Sequence, residues 1–91
     1  MELKWTSKAI SDLARLYDFL VLASKTAAAR TVQSLTQAPV ILLTHPRMGE
    51  QLFQFEPREV RRIFAGEYEI RYELTGQTIY VLRLWHTREN R

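Results

Sequence analysis

Five residues in the last third of the chain carry side chains suited to phosphate or carboxylate chemistry: Arg61, Arg71, Arg83, His86 and Arg88. A guanidinium is planar, permanently charged, and offers a fork of donors to a phosphate or a carboxylate. An imidazole gains and loses a proton near neutral pH. An Arg cluster with a His could stabilise a developing phosphorane and shuttle a proton, which is the chemistry of metal-free RNA cleavage. The same groups could dock the acidic side chains of a protein partner. They could also pair with glutamates on neighbouring strands, the reading that fits Arg71 best. Arg83 stands apart, because it interrupts the apolar run from Ile79 to Trp85. Desolvating a guanidinium costs several kcal/mol unless it is paired, so its place inside such a run needs a reason.

The elements that must position these groups are legible from periodicity. Leu3 to Thr6 reads as a short strand, and Thr6 or Ser7 can cap the helix that follows. That helix is expected from Ser7 to Ala23, with Ile10, Leu13, Tyr17 and Leu20 as its core stripe and Asp12, Arg15 and Asp18 mainly on the other side. After a break near Ser24 to Thr26, Ala27 to Ala29 begin a second helix. Pro39 should kink or divide it, and Val40 to Leu43 reads as its last turns before His45-Pro46. A short link between helices of similar length predicts an antiparallel hairpin.

Pro46 to Pro57 reads as a loop, with Leu52, Phe53 and Phe55 anchored under the core. The period then changes to two. Val60 to Phe64 is a strand, Ala65-Gly66 a turn, and Tyr68 to Leu74 a half-buried strand alternating with Glu67, Glu69, Arg71 and Glu73. Thr75-Gly76-Gln77 turns the chain into the last strand. The expected fold is α+β, in the order β-α-α-β-β-β, with a helical hairpin on one face of an antiparallel meander. Trp85 can cap the core or stand exposed as an interface anchor.

Composition sets the outer limits. The chain has 91 residues, enough for a single domain over residues 1–91 with one core. Hydrophobic residues make up 46% and charged residues 25%, a globular balance. No apolar run reaches the roughly 18 residues of a membrane span, and no signal peptide is visible after Met1-Glu2. The absence of cysteine rules out disulfides and Cys-based metal sites, and fits a cytoplasmic protein. The net charge of +3 permits an acidic partner without demanding nucleic acid. From residue 56 onward every base is Arg, while the lysines (Lys4, Lys8 and Lys25) lie in the first third. His45 and His86 have no acidic or His companion at ligand spacing, and no phosphate loop, dinucleotide fingerprint or nucleophile elbow is present. No cofactor is expected.

Four motifs in order resemble one family. They are W-T-x-x-A-x-x-D-L (Trp5, Thr6, Ala9, Asp12, Leu13), P-x-x-G (Pro46, Gly49), R-R-I-F-x-G-x-Y-x-I-x-Y (Arg61 to Tyr72) and I-x-V-L-R-L-x-H (Ile79 to His86). Together they resemble the RelE/ParE superfamily of toxins from bacterial toxin–antitoxin modules, over essentially the whole chain. The resemblance implies one of two activities. RelE-like members are ribosome-dependent mRNA endoribonucleases; here His86 would be the acid or base, with Arg61 and Arg83 on the phosphate. ParE-like members inhibit DNA gyrase and catalyse nothing, so nucleic acid would be met only indirectly. The closing segment Trp85 to Arg91 looks like the ParE-like tail, which implies target binding by Arg83, Trp85, His86 and Arg88. The resemblance also implies a cognate, ParD-like antitoxin protein whose C-terminal segment wraps and neutralises the toxin, and no membrane partner.

Overall fold

The computed structural model describes residues 1–89. The chain runs β1 (Glu2–Trp5), α1 (Ser7–Val21), α2 (Lys25–Gln37), a 3-10 helix (Ala38–Leu43), β2 (Glu50–Gln51), a second 3-10 turn (Phe53–Phe55), β3 (Glu59–Ala65), β4 (Tyr68–Thr75) and β5 (Thr78–His86). The strands form one sheet in the order β1-β5-β4-β3-β2. β3, β4 and β5 are the expected antiparallel meander, and β1 joins it parallel to β5, from Glu2 opposite Thr78 to Trp5 opposite Val81.

Local chemistry explains the boundaries. Thr6 is the N-cap of α1, its Oγ1 accepting the Ala9 N–H at 3.1 Å. Ser24 does the same for α2 through the Ala27 N–H at 3.1 Å. Such caps satisfy donors that have no partner within the helix. Pro39 ends regular α-helix as expected, because it cannot donate to the preceding turn. The chain then tightens into a 3-10 helix that buries Pro39 and Leu42. Between β3 and β4, Gly66 sits at φ +60°, a left-handed geometry that costs glycine little.

The helices cover one face of the sheet. Ala9, Leu16 and Leu35 pack on Ile70, Val81 and Leu84, and Leu42 packs with Tyr72, Leu74 and Ile79. Each large apolar side chain buried this way contributes about 1.5–3 kcal/mol.

Three expectations need correction. The buried stripe of α1 is Ala9, Asp12 and Leu16, not Ile10 and Tyr17, which are exposed. The helix is rotated because Asp12 has a partner inside. Phe53 is also outside, 66% exposed, whereas Leu52 is buried and Phe55 half-buried. The 3-10 turn points Leu52 inward and leaves Phe53 in solvent. β2, only two residues long, falls inside the stretch read as loop.

Candidate functional site

Thr6, Asp12 and Arg83 form the first cluster, where the start of the chain meets its end. Asp12 is 4% exposed. Its carboxylate accepts Arg83 Nε at 2.8 Å and Arg83 Nη2 at 3.1 Å, and takes the Leu84 N–H at 3.0 Å. The single Thr6 Oγ1 proton is shared between the carbonyls of Val81 and Leu82, both at 3.0 Å. The Asp12 hydrogen bonds hold the Arg83 guanidinium still more firmly in its charged form, outweighing the opposing effect of burial. The reason for an Arg in the apolar run is therefore a buried carboxylate 71 positions earlier. The first and last motifs are two halves of one contact.

Arg61 serves the opposite side of the sheet. Its Nη1 donates to the carbonyls of Gly49 (2.8 Å) and Arg47 (3.2 Å), and its Nε to Glu59 at 2.9 Å. Beside it the Tyr72 hydroxyl accepts the Gly49 N–H at 3.1 Å and donates to the Pro46 carbonyl at 2.8 Å. A Cβ at position 49 would lie 2.6 Å from the Arg62 carbonyl oxygen and 2.7 Å from the Tyr72 hydroxyl, so only glycine fits there. The P-x-x-G motif and the Arg61–Tyr72 stretch are thus one knot that folds the loop onto β3.

Arg71 lies on the face of the sheet away from the helices. Its guanidinium sits 4.8 Å from the Trp85 ring centroid and 5.3 Å from that of Phe55, within cation–π range. Nη2 donates to the buried Glu69 at 3.1 Å, and Arg62 reaches the same carboxylate at 3.4 Å. Trp85 is 8% exposed beneath this layer, so its ring packs rather than projects. Arg71 does pair with a glutamate, but Glu69 lies two residues back on the same strand and not on a neighbouring one as the sequence suggested; the aromatic sandwich was not foreseen.

His86 closes β5. Its Nδ1 accepts the Arg88 N–H at 3.1 Å, which leaves the ring proton on Nε2, 3.5 Å from Glu67. The ring meets Tyr68 edge-on, with centroids 5.1 Å apart. Burial, then the nearby charges of Glu89 and Glu67, raises the Tyr68 phenol above its ordinary value. Arg15, Leu16, Phe19, Leu20, Tyr68, His86, Arg88 and Glu89 enclose a groove of about 720 Å³ beside the tail. Phe19 and Leu22 extend an exposed apolar surface along the hairpin. The Arg88 guanidinium makes no ion pair with another described residue. Arg91 lies outside the described residues.

The predicted cluster therefore divides. Arg83 and His86 share a strand, yet Arg83 turns to α1. Arg61 is two strands away and committed to backbone carbonyls. The sequence reading missed Asp12, Arg15, Glu69 and Glu89. Asp12 had a signal, since it stands with Ala9 and Leu16 on one helical stripe. Among the described residues no group of three or more His, Cys, Asp or Glu could hold a metal ion, and no helix is long and apolar enough to cross a membrane.

The fold and the site define a small α+β protein whose arginines mostly hold the framework together, with a basic turn and an apolar groove at one end. The family model for the ParE toxin of the type II toxin–antitoxin system parDE matches residues 3–91. A solved structure described as the chromosomal ParDE toxin–antitoxin system from P. aeruginosa is similar, with a TM-score of 0.78 and 28% sequence identity over 94% of this chain and 95% of that one. No match was found among curated proteins. The chain belongs to the ParE toxin family of type II toxin–antitoxin systems.

Proposed function

We propose that this toxin binds DNA gyrase and blocks its supercoiling cycle, catalysing no reaction itself, and that a cognate antitoxin protein neutralises it. The observation that carries this reading is the dispersal of the would-be catalytic set. Arg61 holds a loop on β3, Arg83 is bound to Asp12, and His86 Nδ1 is engaged by the Arg88 N–H. Phosphoryl-transfer catalysis needs donors converging on one point, and these side chains face different parts of the molecule. The groups offered outward instead are those of a binding surface. They are Arg88 on the His86–Glu89 turn and the apolar groove beside it. Membership of the ParE family and the likeness to a ParDE structure favour gyrase as the target. The exposed Phe19 and Leu22, rimmed by Arg15 and Arg88, suit an acidic amphipathic segment of the antitoxin.

A supercoiling assay with purified toxin, with and without excess antitoxin, tests both halves. Inhibition that antitoxin relieves is the expected result. A folded toxin that leaves supercoiling untouched sinks the gyrase reading, and cleavage of mRNA on programmed ribosomes would then replace it.

A further inference from the structure

β5 stays paired with β4 through His86 on one edge but runs beyond β1 on the other. β1 ends in register at Trp5 opposite Val81. Past that point, residues of the N-terminal segment take over the edge. Thr6 holds the carbonyls of Val81 and Leu82, and Asp12 holds the Leu84 N–H and the Arg83 side chain. Arg15, one helical step further, lies 3.6 Å from Asp12 and donates to Glu89 Oε2 at 2.7 Å. Arg83, Asp12, Arg15 and Glu89 thus alternate in charge from the middle of β5 to the turn that follows it.

That turn is closed on itself. The Glu89 N–H bonds the His86 carbonyl at 2.9 Å, the Glu89 carboxylate accepts the His86 N–H at 2.8 Å, and the Arg88 N–H meets His86 Nδ1. A self-closed turn can swing as a unit unless something ties it to the body of the domain. On the sheet side it is tied by the Thr87 N–H to the Glu67 carbonyl at 2.9 Å. On the helical side Arg15 reaches it through Glu89.

We infer that Arg15 is a positioning residue: through Glu89 it holds the His86–Glu89 turn against α1 and sets the direction in which Arg88 meets the target. The role rests on the reading of the tail as the target-binding segment. The Arg15 side chain is 43% exposed, and an ion pair so open to solvent adds little to global stability. Its removal should therefore be felt in the turn and in inhibition, not in unfolding.

The test uses the full chain as wild type, Arg15→Gln and Arg15→Lys. Amide exchange is followed by NMR at His86 and across β4, and gyrase inhibition is titrated on the same samples. In Arg15→Gln the His86 amide should exchange about two- to fivefold faster, the range for losing a partly exposed ion pair, while β4 amides hold their rates. The half-inhibitory concentration should rise by a similar factor, and Arg15→Lys should recover most of both. An unchanged His86 amide in Arg15→Gln overturns the role, as does an equal acceleration across β4. Faster exchange with unaltered inhibition overturns it too, because the target then does not read the turn. A wild-type protein that never inhibits gyrase fells the functional reading first, and this role with it.

Discussion

Arg61 and Arg83 stand on β3 and β5, and the sequence offers them as members of one basic cluster. In the fold they work at opposite sides of the sheet, each where a short edge strand gives out. β2 is two residues long, and Arg61 gathers the loop leading into it through the Gly49 and Arg47 carbonyls. β1 stops at Trp5, and Arg83 with Asp12 supports the stretch of β5 that runs on without it. One arginine divides its donors between backbone carbonyls and the partly exposed Glu59 carboxylate, while the other is satisfied by a buried carboxylate. These two strand arginines are thus explained by what a short edge strand beside them fails to supply. Arg88 has no such deficit to fill and makes no ion pair with another described residue.

The comparison can be broken first at Asp12. Asp12→Ala strips the Arg83 guanidinium and the Leu84 N–H of a buried acceptor. Urea unfolding should show a loss of about 2–3 kcal/mol, below the 3–5 kcal/mol of a fully buried pair because Arg83 can turn to water. A loss under about 0.5 kcal/mol, the level of an ordinary surface change, would mean the pair supports nothing. At the other side, Gly49→Ala forces the Arg62 carbonyl or the Tyr72 hydroxyl to move. A loss of about 1–3 kcal/mol is expected from such overpacking. An unchanged unfolding midpoint would contradict the close approach that defines the knot.

A smaller effect depends on pH. Hydrogen bonding from Arg47, with less from Arg61 and against the opposing effect of burial, holds the Glu59 carboxyl below its ordinary value of 4.5. A carboxyl depressed in the folded state adds stability that is complete above its unfolded value and is lost as pH falls through the folded one. Glu59→Gln should therefore be destabilised by under about 1 kcal/mol at pH 7. The gap to wild type should close as the pH drops below about 4.5. A gap that stays constant down through acid would show that the carboxylate is not stabilised by its arginines.

Much of this was open to reading from the residues. The two helices, the meander and the turns at Gly66 and Gly76 follow from period and punctuation, because those signals are local. The parallel pairing of β1 with β5 does not, since nothing within Glu2–Trp5 names a strand 76 positions away. Arg83 announced that it needed a partner, but the partner was assigned to the wet side of α1 because a carboxylate counts as polar in any stripe. The same error turned Ile10 and Tyr17 inward on paper. The supposed convergence of Arg61 with His86 failed for a different reason. Sequence places residues on strands, but long side chains choose their direction from carbonyls and carboxylates that only the fold brings near.

What separates the supporting arginines from the one proposed to meet the target is best tested on Arg88. Arg88→Glu, assayed for gyrase supercoiling with its urea midpoint measured on the same sample, should lose inhibition while its stability stays within about 0.5 kcal/mol of wild type, as for other exposed substitutions. A folded Arg88→Glu that inhibits as well as wild type would contradict the assignment of the tail as the working surface.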